Sequence, residues 1–229
     1  MNHESSKNEN ALYILGSRGH GSEVLEAARA ASASESSGDR LVVEGFLDDD
    51  PALMGTEVQG SRVLGPLDDP RLEGANAALG VGYPQTKLRV VSRVKSLRPR
   101  WPTIVHPAST VASMTGLGGG VLVQAGAVLS TNIALGDFTT VNLAATLSHD
   151  VVVEPFATVS PGAHVGGNVR IGEGAFIGIG ASVVQGTTIG AWSVVGAGAV
   201  VVHDVEPNTV VAGVPARIIS RRSEGWQHG

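Results

Sequence analysis

The apolar positions of this chain recur with a period of six. From Val105 to Val201 every sixth residue is Val, Ile or Leu, seventeen positions without a slip; Val111, Leu117, Val123 and Leu129 open the series and Ile177, Val183, Ile189 and Val195 close it. The residue four places further on is always small or β-branched, as at Ser109, Ala127, Thr139, Ala145, Ala163, Ala175 and Ala199. A helix repeats near 3.6 residues and a half-buried strand alternates at two, so six fits neither alone. It fits short strands joined by tight corners, three strands to a coil. The aliphatic residue fills the axis of a narrow prism, and the small residue points inward where a larger one would not fit. Gly136, Asn142, Gly166, Gly172 and Gly190 fall at corners, where residues tolerant of positive φ are expected. One coil has no closed core, so between five and six coils must stack, about 4.8 Å apart, into a parallel β-helix.

Ahead of the repeats the pattern changes. Ala11–Leu15 reads as a buried strand, Gly16-Ser17-Arg18-Gly19-His20-Gly21 as a turn, and Ser22–Ala31 as a helix with Val24, Leu25 and Ala28 on one side. A polar loop over 32–39 leads to a strand at Leu41–Leu47 that ends in Asp48-Asp49-Asp50-Pro51. Asn76–Val81 reads as a further strand, and Gln85–Leu97 as a helix with Leu88, Val91 and Val94 inward. Alternating strands and helices imply a small parallel, Rossmann-like sheet. The expected division is an α/β domain over 1–102 and a prism with a C-terminal tail over 103–229, the chain closing in a short terminal helix or a tail.

Composition narrows the function. Hydrophobic residues make up 42% of the 229 positions, enough for a core, whereas aromatics are only 4%, as a narrow prism requires. A net charge of −5 argues against a nucleic-acid surface. With no cysteine there is no disulfide, thiolate metal site or cysteine nucleophile. The first ten residues are polar, unlike a signal peptide, and no apolar run is long enough to span a membrane. A soluble cytoplasmic protein is the expectation.

The turn at 16–21 departs from the G-x-G-x-x-G dinucleotide spacing, yet it places a flexible backbone at a helix N-terminus, a seat for phosphate or simply a tight turn. Asp48 and Asp49 follow the second strand, where carboxylates meet a ribose or base or form a solvated acidic turn. Taken together, Gly19-His20-Gly21, Gly45-Phe46-Leu47-Asp48-Asp49, Val81-Gly82, the hexapeptides with His149-Asp150, and Gly213-Val214-Pro215-Ala216-Arg217 resemble the NeuD/PglD-like family of bacterial sugar O- and N-acetyltransferases. The resemblance covers residues 11–219. It implies a left-handed prism, against the usual right-handed crossover. It also implies that the α/β domain holds a nucleotide-sugar and the prism acetyl-CoA. By resemblance Arg18, Gly19 and His20 line the phosphates and sugar, Asp48 and Asp49 meet the uridine, and Gly82 lies beside it. His149 matches the catalytic histidine and Asp150 the acidic residue after it, where near relatives often carry Glu. The cofactor-binding positions implied are Thr158 (where some members have a second histidine), Ile179, Ala197, Val214 and Pro215.

The residues support that chemistry independently. His149 and Asp150 occupy neither inward position of their repeat, so they project from the prism. Acetyl transfer needs a base to take a proton as the nucleophile attacks the thioester, and a neutral imidazole oriented by a carboxylate supplies one. No His pair has the spacing of the zinc site in prism-type carbonic anhydrases, so no metal is expected. Pro161, Ile179, Ala197 and Pro215 stack at intervals of one coil, on a different corner from His149. A threefold homotrimer with interfacial active sites is therefore expected. The reading is acetylation of the amino group of a nucleotide-linked sugar, with a UDP-4-amino-sugar as the specific guess. O-acetylation of sialic acid or another sugar, and a non-catalytic binding trimer, are the alternatives.

Overall fold

The computed structural model describes residues 10–34 and 40–228. The tail expected before residue 10 and most of the loop expected at 32–39 lie outside the described residues. The chain forms two compact units. One holds the chain up to Val81 together with Val90–Pro102; the other holds Gly82–Arg89 together with Thr103 onward.

The first unit contains β1 (Ala11–Leu15), α1 (Gly19–Ser34), β2 (Val42–Leu47), β3 (Glu57–Val58), β4 (Ser61–Gly65) and β5 (Asn76–Leu79). The sheet order is β3-β4-β2-β1-β5, parallel except for the β3–β4 hairpin. Val24, Leu25 and Ala28 of α1 are buried as the periodicity predicts. The helix starts earlier than expected because Gly19, His20 and Gly21 form its first turn. Gly21 is needed there for space: a Cβ would lie 2.1 Å from the Gly16 carbonyl oxygen.

The second unit is a left-handed parallel β-helix. Seventeen two-residue strands, from Ile104–Val105 to Val200–Val201, form three faces. Pairing joins each residue to the one a coil later, as in Thr140↔Thr158↔Phe176 on the first face and Thr146↔His164↔Ser182 on the second. The inward aliphatic ladder and the small residues beside it make one continuous core from Val121 to Val211. Ala145, Ala157, Ala163, Ala175, Ala181 and Ala199 are fully buried.

The corners differ from expectation in one respect. Positive φ falls at every sixth residue from Gly120 to Gly198, including Asn132, Phe138, Ala144, Asp150, Phe156, Asn168 and Trp192. Gly136, Asn142, Gly166, Gly172 and Gly190 do not have it. Those four glycines serve close approach instead; a Cβ on Gly166 would lie 2.6 Å from the Gln185 nitrogen in the next coil. Left-handed φ costs a non-glycine residue roughly 1–2 kcal/mol. The aromatic residues at these corners offset part of that by packing outside the core. Phe138 stacks on Phe156 with centroids 5.0 Å apart, and Trp192 is 6% exposed over Gly174.

The prism ends in a hairpin rather than a helix. Thr209–Ala212 continues the first face parallel to Val194–Val195, and Arg217–Arg221 returns antiparallel to it. A single helical turn, Trp226–His228, follows.

Helix α2 (Pro84–Val94) turns a different side inward from the one its apolar residues suggest. Pro84, Lys87, Val90 and Val94 are buried, while Leu88 and Val91 are half-buried. The rotation is explained by Lys87, which is 1% exposed. Its Nζ donates to the Phe138 carbonyl at 2.7 Å and the Ala157 carbonyl at 3.1 Å, with Thr140 Oγ1 at 3.4 Å. The Thr158 hydroxyl donates to the Gly82 carbonyl at 2.8 Å, and Tyr83 stacks on Phe176 with centroids 5.3 Å apart. Segment 82–89 is thus clipped to the outward column Thr140, Thr158 and Phe176 of the first face. No described helix is long and apolar enough to cross a membrane.

Burial pushes the Lys87 pKa well below its ordinary 10.5. As pH falls below that value the unfolded chain takes the proton before the folded one, so stability is lost with falling pH and gained with rising pH. Between about pH 8 and about pH 10 the unfolding free energy from urea titrations should therefore rise more steeply in the natural chain than in Lys87→Met, which keeps the stem without the amine. Equal slopes would show that the buried amine carries no such cost.

Candidate active site

His149 and Asp150 lie on the corner between the second and third faces, after strand Thr146–Leu147 and before Val152–Val153. The corner is fixed by backbone bonds to both neighbouring coils: Asp150 N–H donates to Thr131 O at 3.1 Å, and Asn168 N–H to His149 O at 2.9 Å. Asp150 takes the left-handed conformation of this corner, φ 60°, which aspartate tolerates better than most residues. Its carboxylate meets the ring it follows, with His149 Nδ1 2.7 Å from Asp150 Oδ2. Asn132, one coil earlier, donates its side-chain amide to the other oxygen, Oδ1. The Asn132 and His149 hydrogen bonds hold the Asp150 carboxyl below its ordinary pKa, so it is ionised at neutral pH. An ionised carboxylate at Nδ1 selects the tautomer with its hydrogen there and leaves Nε2 with a lone pair. The His149 side chain is 54% exposed on its corner, with Nε2 lying beside Gly167.

Gly167, one coil after His149, completes the seat. A Cβ there would lie 2.6 Å from both Nε2 and Cε1 of His149. Gly167 has no positive φ, so it is needed for space alone. Neither Asn132 nor Gly167 was among the sequence candidates; counting one coil backward from Asp150 and forward from His149 would have found both.

The corner between the first and second faces carries the other prism candidates. Ile179 is 62% exposed and Val214 73%, with Ala197 and Pro215 exposed as well, so four apolar residues form an outward strip. Thr158 is not part of it. It is 3% exposed on the first face, with its hydroxyl given to Gly82. Of the remaining histidines in the prism, His164 is hydrogen-bonded to Thr146 at 2.9 Å.

In the α/β unit the loops after β1 and β2 are joined through Ser17–Asp48 and Arg18–Asp50, while Gly19 and His20 lie in the first turn of α1. Asp48 accepts from the Ser17 hydroxyl at 2.7 Å, the Ser17 N–H at 2.8 Å and the Asp50 N–H at 3.0 Å. Burial works to raise the Asp48 pKa, but these hydrogen bonds and nearby Arg18 bring it below its ordinary value. Asp49 pairs with Arg93 and accepts from Leu67 N–H at 3.1 Å, while Arg18 pairs with Asp50. His20 Nδ1 lies 3.0 Å from Glu23 Oε2, and Gly19 is open, with nothing near a built Cβ. Gly82, expected beside these residues, groups with the prism.

The family model described as bacterial transferase hexapeptide (six repeats) matches residues 168–203. The acetyltransferase domain of PglB from Neisseria gonorrhoeae FA1090, in complex with acetyl coenzyme A, is 35% identical. That match covers 93% of this chain and all of that one, with a TM-score of 0.83. PerB from Caulobacter crescentus, in complex with CoA and GDP-perosamine, is 31% identical over 92% of this chain and 97% of that one, with a TM-score of 0.81. The chain belongs to the hexapeptide-repeat sugar acetyltransferases. WeeI from Acinetobacter baumannii AYE, at 27% identity over 91% of this chain and 99% of that one, shares the fold with a TM-score of 0.81. A search of curated protein sequences found no match. As a member of this family the chain is an enzyme that takes its acetyl group from acetyl-CoA.

Gly167→Ala should drive the imidazole off Asp150 without disturbing the corner backbone. Thiol release from acetyl-CoA should fall at least about tenfold, the usual cost of a misplaced catalytic group, with the thermal midpoint little changed. Unchanged turnover would show that His149 does not need this orientation.

Proposed function

We propose that this enzyme acetylates the amino group of a nucleotide-linked amino sugar, with His149 as general base and Asp150 fixing its tautomer. The observation that carries this reading is the His149 ring itself, held by Asp150 through Nδ1 and half-exposed on its corner. The neutral amine attacks the thioester carbonyl; a C–N bond forms and Nε2 takes the amine proton. Collapse of the tetrahedral intermediate breaks the C–S bond, and the imidazolium returns the proton to the departing thiolate. The nearby carboxylate favours the imidazolium as it forms.

Acetyl-CoA is assigned to the strip of Ile179, Ala197, Val214 and Pro215, whose exposed apolar side chains suit a pantetheine arm. Thr158 is left out of that set because its hydroxyl is already engaged. The nucleotide-sugar is assigned to Arg18, Gly19, His20, Asp48 and Asp49. The start of α1 carries no acidic residue in its first turn, and its N–H groups can receive a phosphate. The relative that holds GDP-perosamine supports an amino acceptor, and it widens the nucleotide from uridine to guanosine.

His149 and the apolar strip lie on different corners, and one prism cannot bring both to a single thioester. A threefold trimer, with His149 from one chain facing the strip of the next, resolves this. A monomer with full activity would overturn it.

The test is thiol release from acetyl-CoA against a panel of UDP- and GDP-linked amino sugars and free sialic acid. One nucleotide amino-sugar should support release, and His149→Ala should lower it by about 10²–10⁴ while still binding acetyl-CoA. Release with sialic acid alone would replace the amine reading with O-acetylation. An active His149→Ala would remove the base.

A further inference from the structure

We infer that Asn132 is a positioning residue of this active site, acting on His149 through Asp150; the inference rests on the reading of His149 as the base. Asp150 has two carboxylate oxygens. Oδ2 faces the imidazole, and Oδ1 accepts from Asn132 Nδ2. A carboxylate on an exposed corner is free to turn about its own side-chain torsions, and the observed rotamer aims Oδ2 at Nδ1. Binding Oδ1 from the preceding coil selects that rotamer. An uncharged donor suits the place, because a cation there would offset the negative charge that favours the imidazolium. An amide fixes the carboxylate and leaves that charge in place.

The geometry behind the contact is a property of the coil. Asn132 and Asp150 occupy the same corner in successive coils, and both have left-handed φ, 56° and 60°. Their side chains therefore leave the backbone in parallel, about one interstrand spacing apart. The imidazole is thus set from both sides by residues one coil away: Asn132 fixes its carboxylate from the preceding coil, and Gly167 leaves room for the ring on the next.

Asparagine also suits a left-handed corner in its own right, so the test has to separate backbone from side chain. Asn132→Gly keeps the conformation and removes the amide. Asn132→Asp keeps the shape and tolerates the conformation but replaces the donor with a second carboxylate. Side-chain 15N NMR of histidine-labelled protein near pH 8 reads the His149 tautomer directly, without any acceptor substrate. The natural chain should show His149 mostly with its hydrogen on Nδ1. Both variants should lose that preference, Asn132→Asp the more. Thiol release with the acceptor identified from the panel should fall about three- to tenfold in Asn132→Gly, as expected for one lost hydrogen bond, with the KM for acetyl-CoA unchanged. A tautomer balance unchanged in both variants would overturn the proposal and leave Asn132 as a corner residue only. If His149→Ala remained active, the base assignment would fall, while the tautomer measurement would still decide whether Asn132 sets the ring.

Discussion

The length of the coil is the constraint on which the prism depends. At the left-handed corner positions the N–H reaches a carbonyl about one coil away, as Phe156 reaches Asp137 and Asp150 reaches Thr131. A coil longer or shorter by one residue would break these bonds and carry a polar residue onto the axis in place of an aliphatic one. The same count positions the chemistry. Asn132 lies beside Asp150, Gly167 beside His149, and Thr158 between Thr140 and Phe176, because each pair is separated by one full coil. No loop has to be ordered to assemble the dyad. The backbone ladder that builds the fold also sets distances at the site, and this is the rigid support that catalytic groups need.

Two kinds of residue sit at the corners, for different physical reasons. The left-handed positions accept Gly, Asn or Asp at little cost, and where they hold Phe138, Phe156 or Trp192 the aromatic surface is stacked along the outside. The other small residues are there because a neighbouring coil passes too close for a side chain. Asp150 belongs to the first kind and Gly167 to the second. The candidate site therefore uses positions the fold already required to be unusual, and the His149–Asp150 pair adds no strain beyond that of an ordinary corner.

Much of this was legible in the sequence. Seventeen aliphatic positions in phase gave seventeen strands at the expected residues, since a period of six has few structural solutions. The His149–Asp150 pair could be placed on a corner by elimination from the two inward positions. In the helix at 84–94 the apolar residues predict Leu88, Val91 and Val94 inward; Val94 is buried as predicted, but Lys87 and Val90 take the inward places of Leu88 and Val91. Hydrophobicity ranks a lysine as solvent-facing, and the carbonyls that satisfy it belong to residues more than fifty places away. The C-terminal segment was open to a helical reading because Arg217–Arg221 forms an exposed edge strand whose pairing partner, Thr209–Ala212, is what decides its conformation. At Asp48 and Asp49 the positions were visible but their partners were not: Ser17 and Arg93 engage them from distant parts of the chain.

The clip formed by Lys87, Gly82 and Tyr83 bears on how such a protein is inherited. The repeats begin at residue 103, and a recombination event that exchanged everything before them would look, in sequence, like a clean domain swap. It would remove the lysine from the Phe138 and Ala157 carbonyls, the backbone oxygen from the Thr158 hydroxyl and the ring from Phe176. The first face would be left with polar groups shaped for an absent partner. The portable module therefore includes residues 82–89, and a new N-terminal domain could replace the old one only if it supplied that segment again. Lineages of this architecture are expected to change their N-terminal α/β unit by substitution in place more readily than by exchange.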